Sequence, residues 1–430
     1  MKYFIIFFFV VAVLLTSCSL RDDVTNDGII KDSNWIYLPN GWTEIEDANN
    51  DIQSNNQIYK KISFNKQLSP YEPLAFIGEG LLTKKWVLSE DILDLRGIIQ
   101  TNLLSTKNYW FLRLLREFDE LVSYSEEMFR VYPEDGRISQ INHYLGITDG
   151  EYIWSTLWWR HFDPTICWHE EGDIIWVNDG LQSESGNMLS FLGNRMVQKI
   201  TNYNYTTSNY DTIITLFNPE NGRVLNRLMC KNAFSNIYTG KSSNSILAEC
   251  IRDTENQKID YFVINFDDLT VTDVLNEEKA LKFIEFEGDL FLIKSNKLFI
   301  MNEDLSSFEE IFALNEGREM INLVELYPNS KSFLLCKDLD DNSKKRYLID
   351  LEENIEPITL SDTMKIVNGL LVKEAGNTIQ SLNPQTLEPI WWIDLTDEDL
   401  GNNPRVIWCD WRGVLVMSDT KLACFVASEN

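Results

Sequence analysis

The chain has 430 residues, of which 66 are acidic and 38 basic, giving a formal charge of -28. That sign repels phosphate backbones and anionic lipid surfaces over roughly a Debye length, which speaks against nucleic acid as a partner. A content of 44% hydrophobic and 12% aromatic residues excludes general disorder and supplies core for several small domains or one large repeat architecture.

Lys2 supplies a single positive charge ahead of an apolar stretch from Tyr3 to Leu15. The stretch is shorter than the roughly 20 residues a spanning helix needs, so it reads as a cleaved export signal. Its end, Leu15, Thr16, Ser17, Cys18, resembles the lipobox of bacterial lipoprotein signal peptides. The resemblance implies that the Cys18 thiol carries diacylglycerol and that cleavage leaves Cys18 as an acylated N-terminus, stably held by two or three acyl chains. A plain secretory signal with a chance cysteine is the alternative. Ser19 rather than Asp follows the cysteine, which by resemblance to a lipoprotein sorting rule implies the outer membrane; Asp22 and Asp23 leave the leaflet open. The expected layout is a signal at 1–17, the lipidated cysteine and a polar tether at 18–33 with a coil-like reach of roughly 20 Å, and one folded domain at 34–430.

Beyond the tether, short apolar runs are broken by Asn, Asp, Gly and Pro with no sustained 3.6-residue period, which is an all-β signature. Tyr109 to Leu121 has helix-like leucines, but its aromatics and its strand-like flanks favour a strand. Phe129 to Tyr132 followed by Pro133-Glu-Asp-Gly136-Arg137 is closely copied by Ile214 to Phe217 followed by Asn218-Pro-Glu-Asn-Gly222-Arg223. Fainter copies centre on Gly180, Leu269, Leu305, Asn354 and Leu387. The mean spacing from Gly136 to Leu387 is about 42 residues, within the roughly 40 to 45 of a four-stranded propeller blade. At the C-terminus, Arg405 to Cys409, Val414 to Ser418 and Lys421 to Val426 make three strands without a fourth. The pattern therefore predicts a single β-propeller of eight blades, with seven as the alternative. An N-terminal strand such as Ile58 to Phe64 would complete the last blade, because closure hides sheet edges.

Asn377 to Leu395, N-T-I-Q-S-L-N-P-Q-T-L-E-P-I-W-W-I-D-L, resembles the pyrroloquinoline-quinone-type propeller repeat, with Leu387 where the repeat has glycine. The vicinal cysteine pair of quinoprotein dehydrogenases has no counterpart in this chain, so no cofactor is expected. The implied kind is non-enzymatic, similar to the propeller lipoprotein of the outer-membrane β-barrel assembly machinery.

The densest constellation is Trp154, Trp158, Trp159, Trp168 and Trp176, with His161, Asp163, Cys167, His169, Glu170 and Glu171 among them. Packing between blades is the default for such aromatics. The functional reading is a platform for a partner protein or a sugar. With Thr165 to Glu171 as a strand, Cys167, His169 and Glu171 would share one face, as metal ligands require. Asp338, Asp340 and Asn342 have calcium-loop spacing, but Ser343 and Ile349 stand where the loop needs Gly and Glu, so a solvated turn is expected. Gly240-Lys-Ser242 lacks the rest of a phosphate loop and reads as a hairpin turn. The six cysteines after Cys18 read as buried hydrophobes, with Cys409 and Cys424 the pair closest to a plausible disulfide. The sequence thus predicts a lipid-anchored propeller acting as a protein-binding or assembly module at the cell envelope. A glycan-binding protein or glycosidase and an immunity-type lipoprotein are the alternatives.

Overall fold

The computed structural model describes residues 35–38, 42–47, 56–64, 68–73, 78–89, 91–118, 123–141, 146–156, 163–183, 188–204, 209–230, 234–253, 258–268, 270–277, 281–294, 296–315, 317–328, 331–338, 345–351 and 357–427. All regular structure among them is β. Strands adjacent in sequence pair antiparallel into small sheets. Those spanning 98–141, 234–277, 282–313 and 318–360 each stand alone with four strands. The 147–183 and 188–230 sheets have the same build and are widened at their last strand by N-terminal additions: Asn56–Ile58 on the former, and the hairpin of Trp35–Leu38 and Trp42–Asp47 on the latter. The 364–394 and 405–427 sheets are joined through Gly80–Leu88 into one sheet of eight strands.

The apolar residues alternate along these strands, so each sheet offers an apolar face to both neighbours. One cluster lies between the 188–230 and 234–277 sheets, where Val197, Ile214 and Leu216 meet Ile246, Ala248 and Phe262. The same arrangement follows between 234–277 and 282–313, between 282–313 and 318–360, and between 318–360 and 364–394. It continues through the 405–427 sheet to the 98–141 sheet, and from there through 147–183 back to 188–230. The chain of contacts closes on itself. First strands of successive sheets, such as Met364–Val367, Arg405–Asp410 and Ile98–Ser105, lie against one another around the axis. This is a β-propeller arrangement of small four-stranded sheets, each with its first strand innermost.

Closure by an N-terminal strand is present, but the strand is Gly80–Leu88 rather than Ile58 to Phe64. It pairs antiparallel with Leu422–Ala427 from Leu88↔Leu422 to Leu82↔Ala427. Ile58 instead ends the short strand on the 147–183 sheet, and residues 59–64 form no strand. The closing strand is concealed in the sequence by Lys84 and Lys85. A register shift between Trp86↔Cys424 and Lys84↔Phe425 lets the ladder skip Lys85, so Leu82, Trp86 and Leu88 are all buried. Trp110–Phe118 is a strand, as its aromatics implied. Gly180 does not mark a turn: it lies inside Ile174–Ser183, and the turn of that sheet is at Gly172.

The copied turns share one geometry. The N–H of Gly136, Gly222 and Leu387 donates to the carbonyl of Tyr132, Asn218 and Asn383 at 2.9, 2.8 and 2.8 Å. A tryptophan docks on two of these turns. The Trp86 and Trp176 indole N–H groups donate to the carbonyls of Pro133 and Pro219, both at 2.9 Å. Gly222 has φ +69°, and a Cβ there would come within 2.5 Å of the Trp176 ring. Leu387 holds the same left-handed conformation at φ +59°, which for an L side chain costs roughly 1–2 kcal/mol. Its packing against the core between the 318–360 and 364–394 sheets offsets that cost.

Cys409 and Cys424 are free thiols and no disulfide pair. They sit on opposite faces of their sheet, Cys409 in the core shared with 364–394 and Cys424 in the core shared with 98–141. Gly240-Lys-Ser242 forms a turn between Phe234–Tyr238 and Ser245–Asp253, with Ser242 N–H on the Thr239 carbonyl.

Trp86 ties the closing strand to the core between the last and first sheets. Trp86→Ala is expected to lower stability by about 3–5 kcal/mol and to speed amide exchange across Leu422–Ala427. Unchanged exchange in that strand would contradict its dependence on residues 80–88.

Candidate binding face at the turns

The structure divides the tryptophan constellation. Trp154, Trp168 and Trp176 are fully buried, so for these three the platform reading is corrected. Trp154 and Trp176 both donate to the Pro219 carbonyl, at 3.0 and 2.9 Å, and Trp168 donates to Ser155 Oγ at 3.0 Å. Trp158, Trp159 and His161 lie outside the described residues. The strand there runs Asp163–His169, so Glu171 falls in the following turn rather than on the strand. Cys167 is buried in the core, and burial first, then the charge of Asp149, raises its thiol pKa well above the ordinary value. Cys167, His169 and Glu171 are therefore not brought together as ligands. Among the described residues, no group of three His, Cys, Asp or Glu could hold a metal. Of the calcium-like residues only Asp338 is described, and it accepts a hydrogen bond from the Tyr347 hydroxyl at 2.7 Å; Asp340 and Asn342 lie outside the described residues.

The polar end of the constellation does reach a surface. His169, Glu170 and Glu171 belong to the turn into the last strand of the 147–183 sheet, beside the 105–110 turn of the neighbouring sheet. The Asn108 backbone and side-chain amides both donate to the Glu170 carboxylate. The Tyr109 hydroxyl donates to Glu171 at 2.8 Å. Burial first, then the hydrogen bond and charge of Glu171, push the Tyr109 pKa up to about 12. His169 lies 3.5 Å from Glu151 and edge-on to Tyr152, with ring centroids 5.4 Å apart.

Next to this turn stands an aromatic and arginine cluster. The rings of Tyr109 and Tyr132 meet edge to face at 5.1 Å. The Arg130 guanidinium sits 5.1 and 5.3 Å from their centroids, and Arg137 lies 4.8 Å from Tyr132. Cation–π stacking of this kind fixes the guanidinium planes while leaving donors for another molecule. Arg130 also donates to the Glu170 carbonyl at 3.0 Å and to Ser139 Oγ at 3.3 Å.

The face continues onto the last sheet. Trp411, at the tip of the Asp410–Gly413 turn, is 55% exposed, the third highest exposure among the described large hydrophobic residues. Beneath it Asp410 and Arg412 form a buried ion pair, with side chains 0% and 4% exposed. The Asp410 carboxylate also accepts from the indoles of Trp110 and Trp408, at 2.7 and 3.0 Å, and from Ser105 Oγ at 3.2 Å. Arg412 stacks on Trp110 at 5.0 Å and donates to the Tyr109 carbonyl at 3.2 Å. This network joins the last sheet to the first and holds Trp411 and Tyr109 on one rigid base.

Sequence reasoning passed over Tyr109, Arg130, Tyr132, Arg137 and Trp411. Trp411 carried a usable signal: a tryptophan at the tip of the hairpin Asp410-Trp-Arg-Gly413, between two apolar strands, has no core position to occupy.

No protein-family model and no curated protein matches the chain. Solved structures to which it is similar include acylaminoacyl peptidase of Pyrococcus horikoshii, at 14% identity over 74% of this chain and 56% of that one, with a TM-score of 0.47. Others are the β-propeller domain of the trilobed protease of Pyrococcus furiosus, at 11% over 77% and 99% with 0.41, and the WD40 domain of SCAP from fission yeast, at 7% over 80% and 98% with 0.44. The chain spans about half the length of the acylaminoacyl peptidases it matches. The propeller arrangement rests on the strand pairing and the closed ring of cores described above.

Burial raises the Asp410 pKa; the hydrogen bonds and charge of Arg412, with the two indole donors, outweigh it, so the group titrates below its ordinary value of 3.8. A carboxyl with a depressed folded pKa contributes stability above its unfolded pKa and loses it as pH falls through the folded value. Asp410→Asn is therefore expected to lower stability by about 3–5 kcal/mol at neutral pH. The gap in Tm between wild type and variant should hold from about pH 5 to 8 and narrow below about pH 4. A gap independent of pH down to acid unfolding would contradict an ionised Asp410.

Proposed function

We propose that the chain is an exported, lipid-anchored propeller that binds a protein partner at the cell envelope through the face of Tyr109, Arg130, Tyr132, Arg137 and Trp411. The observation that carries this reading is the composition of that face. Tyr, Trp and Arg are the residue types that dominate binding energy at interfaces, and here they stand together on turns braced by a buried ion pair. Net charge fits the same role: a protein of -28 resists non-specific association, and at this face Arg130 and Arg137 stand among Glu171 and Asp135.

We infer the eight-blade reading by taking each four-stranded unit once and assigning Gly80–Leu88 to the last. Among the described residues, eight hydrophobic clusters, each shared by two successive units, support this reading. The shared geometry of the Gly136, Gly222 and Leu387 turns, with tryptophans docked on the first two, is in keeping with a repeated blade. The anchor rests on the Leu15-Thr-Ser-Cys18 match, and its outer-membrane placement on Ser19. No catalytic role is assigned. Glycan binding is the second reading, favoured by the exposed Trp411 ring and by Glu171 and Glu151 beside Tyr109 and His169.

Purification of the lipidated protein from its own membranes should recover a stoichiometric protein partner. Trp411→Ala combined with Arg137→Gln should weaken that capture about tenfold or more while leaving the Tm nearly unchanged. Retention on a glycan array with no recovered partner would favour the second reading instead. Cys18→Ala should abolish labelled-palmitate incorporation, and unchanged labelling would refute the anchor.

A further inference from the structure

A groove of about 540 Å³ opens on the opposite side of the ring, between the last and first sheets. Its position follows from strand direction: Arg405 begins the strand Arg405–Asp410, whose far end leads to Trp411. Leu95, Ile98 and Met417 supply its apolar lining, and Arg96, Asn403, Arg405, Asp419 and Thr420 its polar lining. Its volume lies in the range of roughly 300–1,000 Å³ that small-ligand sites occupy.

The charges on its wall set the ligand class. Arg405 is exposed and makes no ion pair or side-chain hydrogen bond among the described residues. Arg96 is held by Asp94, at 2.9 and 3.1 Å through two nitrogens, and Asp94 is shared with Arg116 at 3.0 Å. The negative charge of Asp94 is thus divided between two guanidiniums, and Glu127 lies beyond Arg116 at 3.0 Å. Asn403 is in the left-handed region at φ +51°, a conformation that Asn tolerates better than most residues. Asp419 also lines the groove and opposes an anion.

We propose that this groove binds a small ligand through an anionic group, carboxylate or phosphate, seated against Arg405 and Arg96. The Arg405 fork suits a planar or tetrahedral oxyanion, Arg96 adds positive charge beside it, and the apolar lining takes the body that carries it. The site is independent of the partner-binding face and does not rest on it.

Calorimetric titration of the full lipidated protein in detergent, with sodium phosphate and separately with sodium succinate at ionic strength fixed by chloride, tests this. Saturable binding of either probe is expected. Phosphate alone would identify a phosphate-bearing ligand and succinate alone a carboxylate-bearing one. Arg405→Gln should weaken binding about tenfold or more, and Asp419→Asn should strengthen it several-fold, with unchanged near-UV circular dichroism showing both variants folded. Binding of neither probe above the chloride background, or an affinity indifferent to Arg405→Gln, would overturn the proposal.

Discussion

Everything in this molecule depends on one ladder of backbone hydrogen bonds, between Gly80–Leu88 and Leu422–Ala427. A row of sheets has two ends, and each end would expose unpaired N–H and C=O groups and an apolar face. Joining the ends removes both costs at once. It also turns each sheet into a wall for two neighbours, so that the core is a ring of clusters rather than a single centre. Trp86 and Leu88 from the closing strand lie in the same cluster as Trp110 and Leu112 of the first sheet and Leu415 and Cys424 of the last. Closure by hydrogen bonding and closure by packing therefore coincide.

The same seam supports the surface that the structure offers to other molecules. Asp410 and Arg412 are desolvated, and their mutual attraction would not by itself repay that; the two indoles, Ser105 and the Tyr109 carbonyl supply the remaining partners. A network satisfied on all sides has one geometry. Trp411 and Tyr109 consequently start from a fixed base, which reduces the ordering entropy lost on binding. Exposure of large rings on a rigid turn is a different situation from exposure on a mobile loop, and this distinction favours recognition over incidental solvent contact.

Much of the architecture was legible because its signals are local. Asn218-Pro-Glu-Asn-Gly222 states its turn in its own residues, and the period of such turns gives the blade size. The closing strand was misplaced because its cause is non-local. Lys84 and Lys85 interrupt the apolar alternation, and only pairing with Phe425 and Cys424 reveals that the ladder skips one of them. Gly180 misled for the opposite reason, since a glycine can sit inside a long strand when its partner permits. The candidate site was half legible. His169 and Glu171 were singled out, yet Trp154, Trp168 and Trp176, which helped give the segment its prominence, are buried in cores. Alternation along a strand says that neighbours face opposite ways; which way is inside depends on sheets far away in sequence. The Tyr109, Tyr132 and Trp411 surface draws on turns of separate sheets and has no contiguous trace.

The pairing of Leu88 with Leu422 spans more than 330 residues, and this has a consequence for how the protein is made. Residues 80–88 are synthesised early but find their partner only when the C-terminus has emerged and every intervening sheet can stack. Loop-closure entropy grows slowly, at about 0.6 kcal/mol per doubling of length, so the delay matters more than the thermodynamic cost. During that interval the strand is an unpaired β edge in a crowded compartment. Two adjacent lysines in its middle are what natural edges use to discourage mispairing. Once the ring is shut, the bulge lets the ladder skip one of them. The interruption that hides the strand from a reader of the sequence is thus also suited to keep it from the wrong partner until the right one arrives.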